Sequence, residues 1–117
     1  MMNYSEIVSH LLTAVPDFGA ADRTWNADLP HDVFGSFALF LCERIRQGKV
    51  GSWLDQAFEF LNEMASSKDD AVVNLLVVSV LEIIADDDKC RTFAIAHLSD
   101  QGRSLLERVI SDWGPER

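Results

Sequence analysis

Carboxylates at helical spacing are the side chains of this 117-residue chain best placed to do chemistry. Asp55, Glu59 and Glu63 recur at every fourth position, which puts them on one line along a helix. A second group, Asp86–Asp88, is continuous in sequence. Grouped carboxylates of this kind can hold a metal ion or attract a cationic partner.

The ligand spacing argues against a metal site. Helical di-iron proteins use Glu-x-x-His motifs, whereas Glu6 and His10 lie four residues apart. The Asp86–Asp88 run lacks the alternating ligands and the glycine of a calcium-binding loop. We therefore predict no metal site and no cofactor.

One pair of residues has the types needed for phosphate chemistry. Arg91 and His97 enclose five residues, and the pair resembles the Arg-x(4–6)-His motif of helical ribonucleases of the HEPN class. The resemblance implies that the two side chains act on the scissile phosphate of RNA, by charge stabilisation and proton transfer. Thr92 departs from the Asn, Asp or His usual after that arginine, and a chain of formal charge −9 repels phosphate. We predict no catalytic residue, and a ribonuclease remains the weakest alternative.

The negative charge is concentrated in the middle third of the chain. Residues 53–88 contain nine acids and a single base, Lys68. Such a concentration speeds encounter with a basic protein and repels nucleic acid and anionic membrane. A merely solvated surface is the other interpretation. The residues that we predict to contact a basic protein domain are Asp55, Glu59, Glu63, Asp69, Asp70, Asp86, Asp87 and Asp88.

Apolar residues recur at three- and four-residue spacing almost throughout, which predicts an all-α domain over residues 1–117. We expect about six helices arranged as antiparallel α-hairpins, since most connections are short. They cover about 5–15 and 30–47, begin near 52 and near 69 or 70, and then cover about 89–98 and 99–113. The fourth helix is apolar on nearly every side, so it should be central and bury Leu76, Val80, Leu81 and Ile84.

Local signals indicate where the helices begin and end. Ser52 followed by Asp55 approximates a capping box, and either Asp69 or Asp70 should cap the fourth helix. Asp88 is a candidate cap for the fifth. Pro16 should end the first helix, and Gly48 should end the second.

The long connection over 16–29 carries Phe18 and Trp25, so it must pack on the body or contain a helical turn. It is the alternative partner-binding surface. Cys42 and Cys90 lack metal-ligand spacing and are predicted to be buried free thiols. The first residues lack a basic leader segment, so we expect a cytoplasmic protein.

Three stretches carry a family resemblance: LPHDVFGSFA at 29–38, AFEFLN at 57–62 and NLLVVSVLE at 74–82. They resemble a family of small acidic helical bacterial proteins that occur beside polymorphic toxins. The chain is similar more broadly to immunity proteins of contact-dependent inhibition systems. The resemblance covers about residues 29–110 and implies an antitoxin role, the binding and blocking of a toxin domain.

We therefore expect an immunity protein that neutralises a cognate toxin. The toxin is expected to be a nuclease, because proteins that grip phosphates are basic where they do so. The alternative is a helical adaptor or regulator whose acidic face binds another basic protein.

Overall fold

The computed structural model describes residues 2–21 and 24–113. Within these residues the chain forms no strand and seven helices, if the continuous helical residues 70–85 are counted as one, so the predicted all-α fold is confirmed. A 3-10 turn at Tyr4–Glu6 leads into the first helix. The elements are α1 (Ile7–Ala14), α2 (Pro16–Ala21), α3 (Pro30–Arg46), α4 (Ser52–Ala65), α5 (Asp70–Leu75), a π-helical segment (Leu76–Leu81), α6 (Glu82–Ala85), α7 (Asp88–His97) and α8 (Asp100–Trp113).

The helix that we call the central helix runs without a break over 70–85 and comprises α5, the π-helical segment and α6. It packs against α3, α4 and α8. Leu76, Val80, Leu81 and Ile84 are all 0% exposed, which confirms the prediction made for them. Neighbours cover most of the helix, whereas one face stays open to solvent, with Asn74 exposed and Val78 44% exposed, so the expectation of a fully surrounded helix is only partly met.

The π-helical segment could not be read from the apolar periodicity. Ser79 lies in it and is the one buried polar side chain among the described residues. Its hydroxyl lies 2.5 Å from Nδ1 of His31, near the start of α3. This hydrogen bond satisfies the hydroxyl inside an otherwise apolar contact.

Two predicted helix boundaries are confirmed. Gly48 follows α3 with φ at +73°, and the Lys49 N–H donates to the carbonyl oxygen of Arg44. This left-handed residue ends the helix at low steric cost because glycine has no Cβ. Asp69 caps α5, since its Oδ1 accepts the Ala71 N–H at 3.0 Å.

Two predicted caps are wrong by one residue. Ser52 is the first residue of α4, and Gly51 occupies the cap position without a side-chain hydrogen bond. Asp88 is likewise inside α7, and Asp87 is its cap, accepting the Cys90 N–H at 2.9 Å. In a run of three aspartates any member can accept from the first turn.

The first helix ends before Pro16, as predicted, and Pro16 itself starts α2, where a missing N–H costs nothing. α2 brings Phe18 into the core at 0% exposure, with its ring 5.3 Å from that of Phe37 and 5.7 Å from that of Trp25. The predicted packing of this connection on the body is therefore confirmed for its described part. Asp22 and Arg23 lie outside the described residues.

Cys42 and Cys90 are buried free thiols, as predicted. A hydrogen bond with Cys42, together with burial, raises the pKa of the Cys90 thiol far above its usual range. The thiol is therefore uncharged and contributes to the contact between α3 and α7 as an apolar group. None of the helices in the described part of the chain has the length and apolar character needed to cross a membrane.

Candidate partner-binding surface

The exposed face of α4 carries the line of acids predicted from spacing, which we call the acidic stripe: Asp55, Glu59 and Glu63. All three are exposed, while the opposite face of the helix is in the core. Within the described residues no lysine, arginine or histidine lies within ion-pair distance of any of them. Four residues advance a helix by about 6 Å, so the stripe is a regular row of uncompensated charge.

Asp69 and Asp70, the next predicted contacts, differ from each other. The carboxylate of Asp69 accepts two backbone N–H groups, from Ala71 and from Tyr4, each at 3.0 Å. It therefore anchors the N-terminal turn to the start of α5. Asp70 is exposed and lines a groove of about 400 Å³ between the central helix and α8, with Arg108 on the same rim.

Asp87, the middle one of the three aspartates at 86–88, contacts the C-terminal end of α3. Asp87 forms an ion pair with Arg46 in addition to capping α7. Partial burial alone would raise the pKa of this carboxyl. The hydrogen bonds from Cys90 and Arg46 outweigh it and hold the pKa below its usual range. Asp88 is paired with Arg91 at 2.6 Å.

The predicted acids outside the stripe lie at opposite ends of the central helix. Asp69 precedes the central helix and Asp70 is its first residue, whereas Asp86–Asp88 follow its other end. Sixteen helical residues separate the two groups by roughly 20–25 Å. We call Asp87, Arg46, Asp88 and Arg91 the paired corner, because these acids have cationic partners in their own chain.

Glu6, which is not one of the predicted contact residues, lies near Glu63 on the surface. Glu6 and His10 of the N-terminal segment line a cleft of about 640 Å³ together with Glu63 and Phe60 of α4. Sequence spacing relates Glu6 to His10. Nε2 of His10 lies 4.0 Å from Oε1 of Glu6. The spacing could not relate either residue to α4, because only the packing of α1 on α4 brings them together.

The pair considered for ribonuclease chemistry has local structural partners. Arg91 donates to the carbonyl oxygen of Ala85 at 2.6 Å as well as to Asp88. The His97 ring stacks on Phe93 with 4.0 Å between centroids, and its Nδ1 contacts the Phe93 carbonyl oxygen at 2.9 Å. Six residues of α-helix also place the two side chains about 120° apart around the helix axis. In the described ranges no set of three His, Cys, Asp or Glu side chains is grouped as a metal site would require.

The model of one protein family, described as a domain of unknown function, DUF7674, matches residues 8–114. The chain belongs to this family. No curated protein and no solved structure matches it. The DUF7674 match includes the acidic stripe and the paired corner, whereas Glu6 lies before its first residue.

Proposed function

We propose that this DUF7674 protein is a cytoplasmic immunity protein that binds the basic domain of a cognate toxin, a nuclease, and blocks it without catalysis. The observation that carries the proposal is the acidic stripe, in which Asp55, Glu59 and Glu63 are exposed and have no cation within ion-pair distance in the part of the chain that the structure describes. The resemblance to immunity proteins adds the class of partner.

The energetics of α4 support a binding role for the stripe. Each like-charge pair at a spacing of four destabilises a helix by roughly 0.2–0.5 kcal/mol. Two such pairs occur, Asp55 with Glu59 and Glu59 with Glu63, and neither is offset. The same row would steer a basic protein and could occupy a groove built for a phosphate backbone.

The proposal is tested by co-expressing the protein with candidate toxin domains encoded beside DUF7674 genes. We expect a one-to-one complex on copurification and rescue of growth from the toxin. Rescue should persist in His97→Ala, because the proposal assigns no catalytic step to that side chain. Stable binding of a basic protein without rescue would instead assign the adaptor role, and RNA cleavage lost in His97→Ala would assign the ribonuclease role.

A further inference from the structure

The cleft between the N-terminal segment and α4 is a concave part of the acidic surface in which two different elements each contribute a carboxylate. Its volume is about 640 Å³, within the range of about 300–1,000 Å³ typical of ligand pockets. Met2, Ala14 and Phe60 contribute apolar surface to its lining, and Glu6 and Glu63 contribute carboxylates.

The carboxylates of Glu63 and Glu6 differ in the contacts that they already make within the chain. Glu63 has no hydrogen-bond or ion-pair partner for its carboxylate among the described side chains. Glu6 Oε1 accepts from Asn3 at 3.2 Å and lies 4.0 Å from His10, while its side chain remains 63% exposed. Lys68 lies in a smaller neighbouring cleft that also includes Glu63, but it is beyond ion-pair distance.

An apolar lining beneath a carboxylate rim matches one kind of side chain. Lysine and arginine bury an apolar stem while their charged head stays at a polar rim. Arginine fits better than lysine, because its planar guanidinium presents five donors and can bind more than one carboxylate oxygen.

We infer that this cleft receives an arginine side chain of the basic partner, so that the acidic stripe continues into a specific pocket at Glu63. The inference rests on the proposed function for its partner, but the pocket's preference for arginine can be measured without that partner. Glu63 belongs to both the stripe and the cleft, whereas Glu6 and Ser9 belong to the cleft alone.

The first arm titrates ¹⁵N-labelled full-length protein with N-acetyl-arginine amide, followed by NMR chemical shifts. N-acetyl-citrulline amide, similar in shape but uncharged, is the matched control probe. We expect saturable shifts confined to the lining residues for arginine and none for citrulline. Equal responses to both probes, or shifts spread over all the acids, would overturn the inference.

The second arm uses variants in the cleft that leave all three residues of the acidic stripe unchanged. Glu6→Gln should raise the dissociation constant for the arginine probe by up to about fivefold, as expected for an exposed ion pair. Ser9→Trp should abolish binding by filling the cleft without changing its charge. Glu107→Gln, an exposed acid of α8 that does not line the cleft, is the matched control and should change nothing.

The toxin complex separates this inference from the proposed function. If Ser9→Trp and Glu6→Gln bind the toxin as tightly as the parent while a stripe reversal does not, the cleft inference is wrong and the function stands. If the arginine probe binds the cleft but no toxin is bound or neutralised, the function is wrong and the arginine pocket stands.

Discussion

The acidic stripe and the paired corner contain the same kind of side chain in opposite situations. Asp87 at the corner accepts from Arg46 and from the first turn of α7, and its side chain is only 18% exposed. Glu59 on the stripe is exposed, lies one helical turn from two other acids and has no such partner among the described residues. The corner acid stabilises the fold that contains it, whereas the stripe acid opposes the stability of its own helix.

The difference separates charges that the fold explains from charges to which we assign a binding role. An acid that caps a helix or pairs with arginine is explained by the fold, so Asp69, Asp87 and Asp88 need no partner protein to account for them. A row of uncompensated acids is not explained in that way, which is why the proposed function rests on α4. Mutations in the two regions should therefore affect different quantities, binding for the stripe and folding for the corner.

The largest effect is expected from reversing two stripe charges. The double variant Glu59→Lys with Glu63→Lys should weaken the toxin complex by about 2–5 kcal/mol if both carboxylates are desolvated in it. Association of the parent should slow as salt rises, because exposed charges are screened beyond about 8–10 Å near physiological ionic strength. Surface plasmon resonance at two salt concentrations measures both effects.

The matched control for that variant is Asp17→Lys with Glu107→Lys, which makes the same charge change at exposed positions of α2 and α8. It should lower the association rate slightly and leave the dissociation rate unchanged. An equal loss of affinity in the stripe and control variants would reduce the effect to net charge alone. The position of the stripe would then have no effect on affinity.

A substitution in the paired corner should change the stability of the protein rather than its affinity for the toxin. Asp87→Ala removes both the cap of α7 and the partner of Arg46, so it should lower the free energy of unfolding by about 1–2 kcal/mol. Urea denaturation followed by circular dichroism measures the loss. Affinity for the toxin should stay within twofold of the parent, and a large loss of affinity in a folded Asp87→Ala protein would place the corner in the interface.

A smaller effect isolates the charge from the cap. Asn is as good a capping residue as Asp, so Asp87→Asn should lose only the ion pair, about 0.5–1 kcal/mol at neutral pH. The folded protein holds the pKa of Asp87 below its usual value, so this stability is present above about pH 4 and is lost as the pH falls through the folded pKa. Parent and variant should therefore converge in acid. A difference that persists at the lowest pH at which both fold would contradict the ion pair as its source.

Sequence periodicity predicts what depends on one helix at a time. The stripe follows from spacing of four, and the burial of Leu76 and Val80 follows from the apolar run around them. The corner and the cleft could not be predicted, because Arg46 is 41 residues from Asp87 and Glu6 reaches the vicinity of Glu63 only through packing. The choice of Asp87 over Asp88 as cap depends on one residue, which is finer than helix boundaries can be predicted.

The smallest predicted effect has the opposite sign to the others. Glu59→Lys alone converts two like-charge contacts on α4, with Asp55 and with Glu63, into attractive ones. The free protein should therefore become more stable by roughly a few tenths of a kcal/mol to about 1 kcal/mol. Toxin affinity should fall in the same variant, because a carboxylate facing the basic partner has become a cation. Thermal unfolding and affinity are measured on one preparation, with Glu107→Lys on α8 as the control. A variant that gains stability and keeps its affinity would show that the stripe is only a solvated surface, because the unfavourable contacts would then serve no partner.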